Sequence, residues 1–101
     1  MKLLTKQLLA ELPPIGATDQ GNPMVKAKFF TPDSSWTWYV LEYDGEDLFY
    51  GLVDGFEKEF GYFSRSELES VTGPMGLHVE RDLHWTPIPL SELKEKLGIN
   101  T

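Results

Sequence analysis

From residue 24 to residue 63, apolar and polar positions repeatedly change places every second residue, the period of a half-buried β-strand. Met24–Phe30 is predicted as a strand, with Val25, Ala27 and Phe29 on one face and Lys26 and Lys28 on the other. Thr31-Pro-Asp-Ser-Ser35 supplies turn chemistry. Trp36–Tyr43 follows as a second strand; Trp36, Trp38 and Val40 face one way, and Tyr39, Leu41 and Tyr43 face the other. Asp44-Gly45 is a strong turn signal, in a loop that extends to Asp47. Leu48–Val53 is a third strand, and Asp54-Gly55 turns the chain again. Phe56–Phe63 is a fourth, with Phe56, Lys58, Phe60 and Tyr62 opposite Glu57, Glu59, Gly61 and Phe63. Such short connections leave no room for helical crossovers, so these strands form an antiparallel meander.

Outside this stretch the signals change. Thr5 is placed to cap a first helix, with Leu4 and Leu9 at hydrophobic-staple spacing, and Pro13-Pro14 stops it. Ser64–Glu67 and Ser66–Glu69 are overlapping capping boxes for a short helix over about residues 65–70. Leu77–Trp85 alternates again and predicts a fifth strand; Thr86–Pro89 is stiff and extended. Ser91 is a candidate cap for a last helix carrying Leu93 and Leu97 inward, Lys94 and Lys96 near its end, and Gly98 as its stop. The fold class is α+β: an antiparallel meander sheet of four to five strands, with short helices at both termini and one between strands. Helices on one face would leave the other face open to water or a partner.

The length of 101 residues is that of one domain, 1–101. Without cysteine, the chain has no disulfide, thiolate metal site or cysteine nucleophile. The N-terminal segment MKLLTKQLLAELPP lacks the uninterrupted apolar run of a secretion signal, and no stretch approaches the roughly 20 apolar residues of a membrane span. A cytoplasmic protein is expected. The net charge of -7 is concentrated in residues 42–69, where nine acids face Lys58 and Arg65. Such a field repels phosphate backbones and attracts basic partners; acidic surface that keeps a small domain soluble is the plainer explanation.

The segments "LPP", "KFFTPDSSWTWYVLEYDGEDLFYGLV", "GYFSRSELESVTGPMGL" and "VERDLHWTPIPLSEL" together resemble a small bacterial domain-of-unknown-function family, often plasmid-borne or carried on other mobile elements. The resemblance runs from about residue 1 to residue 95. It implies a mobile-element or phage-defence setting and carries over no catalytic or binding residue.

Four groups of residues are candidates for chemistry. On a strand over 77–85, His78, Glu80, Asp82 and His84 would share one face, a ligand set suited to zinc, iron or manganese; the same row is also what a solvated strand face looks like. Glu42, Asp44, Glu46 and Asp47 cluster at one turn, and Asp54, Glu57 and Glu59 at the next. Successive turns fall at opposite ends of a sheet, about 20 Å apart, too far for a glycosidase pair, which needs about 5–10 Å. An acidic strip spaced like phosphates could instead imitate DNA. No G-x-S-x-G elbow, GxGxxG or Walker A motif is present, no cofactor is expected, and Gly51 and Gly61 read as relief for large cross-strand rings. Most aromatics belong to the core, while Trp36 and Trp85 are candidate anchors for a protein contact. The expected function is a non-enzymatic accessory protein that binds another, basic protein through Trp36, Glu42, Asp44, Glu46, Asp47, Glu57, Glu59 and Trp85, in its specific form blocking a nucleic-acid-handling partner. The rivals are a small metal-dependent enzyme on the His78 row and a single-stranded nucleic-acid binder. The latter lacks a basic groove, since Lys26 and Lys28 are the only basic pair near the sheet.

Overall fold

A computed structural model of the protein describes residues 4–18 and 21–99. The α+β class holds. A five-stranded antiparallel sheet is ordered β5-β4-β3-β2-β6, from β2 (Ala27–Phe30), β3 (Thr37–Tyr43), β4 (Leu48–Asp54), β5 (Lys58–Ser64) and β6 (Glu80–Arg81). A two-stranded antiparallel pair joins β1 (Met24–Val25) to β7 (Ile88–Pro89). Helices α1 (Lys6–Glu11), α2 (Arg65–Ser70) and α3 (Leu90–Leu97) complete the order. The meander of β2 to β5 is the one the alternation and the two Asp-Gly turns predict. No helix among the described residues is long and apolar enough to cross a membrane.

Residues pack on both faces of the sheet, which the sequence left open, and Tyr62 of β5 stays exposed. Leu4, Leu8 and Leu12 from the α1 region, Leu68 of α2 and Val79 pack over Phe29, Trp38, Val40, Tyr43, Phe49 and Phe63. On the opposite face Leu90, Leu93 and Leu97 of α3, with Val25, Ile88 and Trp85, cover Tyr39, Leu41 and Leu52. Phe49 is the hub of the first cluster: its ring lies 5.5 Å from Phe29, 4.8 Å from Tyr43 and 5.4 Å from Phe63. Aromatic pairs at such distances add to the burial of their large apolar areas.

Period two fails at three places, each for a physical reason. The first is a β-bulge in β3: Val40 pairs with Gly51 and Glu42 with Tyr50, leaving Leu41 as the extra residue. Tyr43 therefore joins Trp38 and Val40 rather than Tyr39 and Leu41. The second is at Lys26, where the predicted first strand breaks. Its N–H bonds the Val40 carbonyl at 3.1 Å, β1 pairs with β7 and β2 with β3, and Val25 crosses to the face opposite Ala27. The third is the predicted strand over 77–85, which is reduced to Glu80–Arg81 pairing with Phe30 and Phe29, plus an isolated bridge between Thr72 and His78. Asp82 ends it: its carboxylate accepts the His84 N–H at 2.9 Å and its carbonyl the Trp85 N–H at 3.2 Å, so local turn bonds replace the ladder.

Helix ends follow their caps. The Thr5 hydroxyl accepts the Leu8 N–H at 3.2 Å, and Leu4 packs with Leu8, while Leu9 of the expected staple is exposed. The Ser64 hydroxyl accepts the Glu67 N–H at 3.2 Å, so of the two overlapping capping boxes the first is used. Ser91 is not a cap. It lies in the first turn of α3, and Asn22 reaches across from the loop to accept its N–H at 2.9 Å. Gly98 ends α3 in the left-handed region (φ 71°), as expected of a helix-stop glycine.

Candidate interaction surface

The turn between β4 and β5 projects Phe56 into solvent; the ring is 95% exposed. The strand expected to begin at Phe56 starts at Lys58, because Gly55 donates to the Glu57 carbonyl at 3.0 Å and closes a tight turn around Phe56. Phe56 stands edge-on to Trp36 at 5.3 Å and 82°, and Trp36 in turn stacks on Trp38 at 6.0 Å and 29°. The Trp36 indole lies directly on the turn backbone, where a Cβ on Gly55 would come within 2.2 Å of it. Only glycine at 55 lets the ring lie there.

Trp36 divides two hollows. One, of about 430 Å³, is lined by Trp36, Trp38, Val71 and Pro74 with Thr31, Ser34, Thr72 and Gly73. The other, of about 260 Å³, is lined by Trp36, Val53, Phe56, Glu57 and Glu59. Val71 and, next to Pro74, Met75 are exposed apolar residues on the same loop. Asp33 holds that loop, accepting the Met75 N–H at 2.7 Å, and occupies the space a side chain on Gly73 would need. The result is an apolar strip from Phe56 across Trp36 to Val71 and Pro74, with carboxylates at one end. A hydrogen bond with Glu57, then the charge of Glu57, hold the Glu59 carboxyl above the usual carboxylate range. A cation brought to that pair would relieve this repulsion.

The structure brings together Trp36, Glu57 and Glu59 among the predicted interaction residues, and separates the rest. Glu42 is a correction: it is 1% exposed, not part of an acidic surface. The bulge sets it opposite Tyr50, and its carboxylate accepts the N–H of Gly16 and of Thr18, each at 2.8 Å, and the Thr18 hydroxyl. Burial pushes this carboxyl up, but the three hydrogen bonds outweigh it and hold it below the ordinary glutamate value. Asp44 is committed to its turn, accepting the N–H groups of Glu46, Asp47 and Leu48 at 2.8–3.0 Å, which lower its pKa. Asp47 is committed to α2: it accepts the hydroxyls of Ser64 (2.6 Å) and Ser66 (2.8 Å) and the Ser66 N–H (2.9 Å). Glu46 is exposed at this turn, at the far end of β4 from Glu57 and Glu59, about 20 Å away for a strand of this length.

Trp85 is not an exposed anchor. Its indole N–H donates to the Val25 carbonyl at 3.0 Å, its ring lies 5.8 Å from Tyr39, and the Lys28 ammonium sits 5.9 Å from its centroid. His78, Glu80, Asp82 and His84 do not form one row, since the strand that would align them spans only Glu80–Arg81. Among the described residues no group of three or more His, Cys, Asp or Glu is placed to hold a metal ion. Gly51 relieves backbone rather than rings: a Cβ there would stand 1.9 Å from the Tyr39 carbonyl oxygen, whereas one on Gly61 would meet nothing within 4 Å.

Sequence reasoning missed Phe56, Val71 and Pro74 as surface elements. Phe56 had a signal, since it directly follows Asp54-Gly55 and so stands in the turn itself. Val71 and Pro74 had none, because their approach to Trp36 depends on the loop held by Asp33.

Residues 2–97 match the model of a family described as protein of unknown function (DUF2958), and the chain belongs to that family. No curated protein and no solved structure matches the chain.

Proposed function

We propose that this member of a family of unknown function acts by binding another protein, and that the contact centres on Trp36 and Phe56. One observation carries the reading: a fully exposed phenylalanine is braced edge-on against a tryptophan stack, beside two acids that repel each other. An exposed ring held in place by a half-buried one has the character of a binding anchor, since little side-chain freedom remains to be lost. The acids select a basic partner. Lys or Arg beside an apolar side chain would meet Glu57 and Glu59 while the apolar group covers Phe56, and the charge would speed encounter. The same acids would repel a phosphate backbone, so the ring stack favours protein over single-stranded nucleic acid.

The specific form of the proposal is an accessory protein of a bacterial mobile element that occupies a basic nucleic-acid-handling protein. It rests on the exposed acids Glu57 and Glu59 beside the rings and on the setting the sequence resemblance implies. The test is binding to candidate basic proteins across a salt series. Phe56→Ala and Trp36→Ala should each weaken binding by about tenfold or more, a typical anchor loss, and Glu57→Gln with Glu59→Gln should slow association and flatten its salt dependence. Binding unaffected by Phe56→Ala and Trp36→Ala would overturn this assignment.

A further inference from the structure

The sheet ends at β5, and among the described residues β4 is its one strand neighbour. In an antiparallel strand, alternate residues turn their backbone N–H and C=O groups toward opposite sides. On the outer side of β5 every second residue therefore presents a donor and an acceptor with no strand to meet them. The usual guards of such an edge are thin here. β5 contains no proline, and its seven residues run in unbroken register with β4. After Lys58 and Glu59, the run Phe60-Gly61-Tyr62-Phe63 carries no charge. The edge at the other side of the sheet, β6, is only two residues long.

The two faces along this edge differ in charge and shape. On one, Glu57 and Glu59 lie beside Trp36 and Phe56. Gly61 follows on the same face, where an added Cβ would meet nothing within 4 Å. On the other face, Lys58 precedes Phe60 and Tyr62. Lys94 of α3 stands 5.4 Å from the Phe60 centroid, and the Tyr62 ring, 5.1 Å from Tyr50, is 60% exposed. A cation is thus attracted on the Glu59 face and repelled on the Tyr62 face. A second copy of the chain is a poor occupant, since each copy carries a net charge of -7.

We infer that the basic partner docks by adding an extended segment to the outer edge of β5, with a Lys or Arg opposite Glu59 and an apolar side chain opposite Tyr62. The inference rests on the Trp36–Phe56 reading for the existence of a protein partner. β5 leaves the Phe56 turn directly, so the edge continues that contact. In such strand addition, backbone hydrogen bonds supply affinity and alternate side chains supply specificity. Residues 59 and 62 are three apart and so lie on opposite faces. Two side chains three apart in the added segment, about 10 Å along it, do the same. That spacing holds for either strand direction.

The probe is the blocked peptide Thr-Thr-Ile-Thr-Thr-Lys-Thr-Thr, titrated at low ionic strength into the full chain labelled with ¹⁵N. One control peptide carries proline at both threonines between Ile and Lys; the other carries glutamate in place of Lys. The first peptide should bind saturably and move the amide resonances of residues 58–62. The proline peptide should bind about tenfold or more weakly, the worth of two backbone hydrogen bonds. The glutamate peptide should bind about two- to fivefold more weakly, the worth of one exposed charge pair. Glu59→Lys should reverse the preference between the lysine and glutamate peptides. The assignment is overturned if the amides of 58–62 do not shift saturably, if the proline peptide binds as well as the first, or if Glu59→Lys leaves the preference as it was. It is also overturned if those amides shift with protein concentration alone, which gives the edge to a second copy. Movement of the Trp36 Nε1–H resonance without the amides of 58–62 overturns the edge site and leaves the Trp36–Phe56 reading in place. Binding of a basic protein that ignores Phe56→Ala and Trp36→Ala overturns that reading and leaves the edge site standing.

Discussion

Glu42 is an acid that charge counting assigns to the surface and the fold assigns to the interior. Its carboxylate ties the loop of Gly16 and Thr18 to β3. Replacing it by alanine leaves two backbone N–H groups without their acceptor, and should cost about 2–4 kcal/mol, readable in denaturant unfolding. The pH dependence follows from the direction of its shift. A folded pKa below the unfolded value gives stability that is complete above the unfolded value and is lost as pH falls through the folded one. Asp44 and Asp47, also lowered, have the same sign. The unfolding midpoint should therefore hold from neutrality to about pH 5 and fall below about pH 4, the ordinary carboxylate range, with a shallower fall in Glu42→Gln. Glu59, raised by Glu57, has the opposite sign: its repulsion is present at neutral pH and relieved as pH falls through its folded value. Gly51 and Gly61 make a second contrast at this scale. Gly51→Ala must push a Cβ into the Tyr39 carbonyl and displace the bulge, whereas Gly61→Ala meets open space. Thermal unfolding should show a large loss for the first and little change for the second.

The elements were legible where their signals are local. Asp-Gly turns, the Ser64 cap and the Gly98 stop act within a few residues, and the structure uses each of them. What escaped prediction depends on partners distant in sequence. Alternation cannot show the bulge at Leu41, because a period of two runs through an inserted residue unnoticed and assigns Tyr43 and Glu42 to the wrong faces. The segment 77–85 alternates well, yet a strand lasts only as long as its neighbour, and β2 offers it Phe29 and Phe30. The capping of α3 by Asn22 had no local signal for the same reason. Asn22→Ala should cost about 0.5–2 kcal/mol, the usual worth of a cap, and amide exchange should quicken in the first turn of α3 before the rest of the molecule is affected. Of the candidate surface, Trp36, Glu57 and Glu59 were readable from sequence; that Trp36 is braced by Phe56 and flanked by Val71 and Pro74 was not.

For the whole molecule, covering both faces of the sheet changes what is left to meet a partner. The broad faces are largely covered, with Tyr62 of β5 an exposed ring on one of them, so contacts fall chiefly to ends and edges, and the Trp36–Phe56 strip lies at one such end. The acids are also less available than the net charge of -7 implies. Glu42, Asp44 and Asp47 spend their oxygens on the fold, and Glu57 and Glu59 stand at the opposite end of β4 from Glu46. Any electrostatic attraction to a basic partner should accordingly be local to one turn. Neutralising Glu57 and Glu59 should reduce its salt dependence, while Glu46→Gln should leave it nearly unchanged.

The pairing of β1 with β7 has a consequence in time rather than space. Met24 and Val25 meet Pro89 and Ile88 across most of the chain, whereas β3, β4 and β5 are joined by short turns. Contacts of high sequence separation are the slow ones to form. During synthesis the central meander can assemble while β1 still waits for residues that have not left the ribosome. In refolding experiments, Val25→Ala and Ile88→Ala should chiefly hasten unfolding and scarcely slow folding, whereas Phe49→Ala should slow folding markedly.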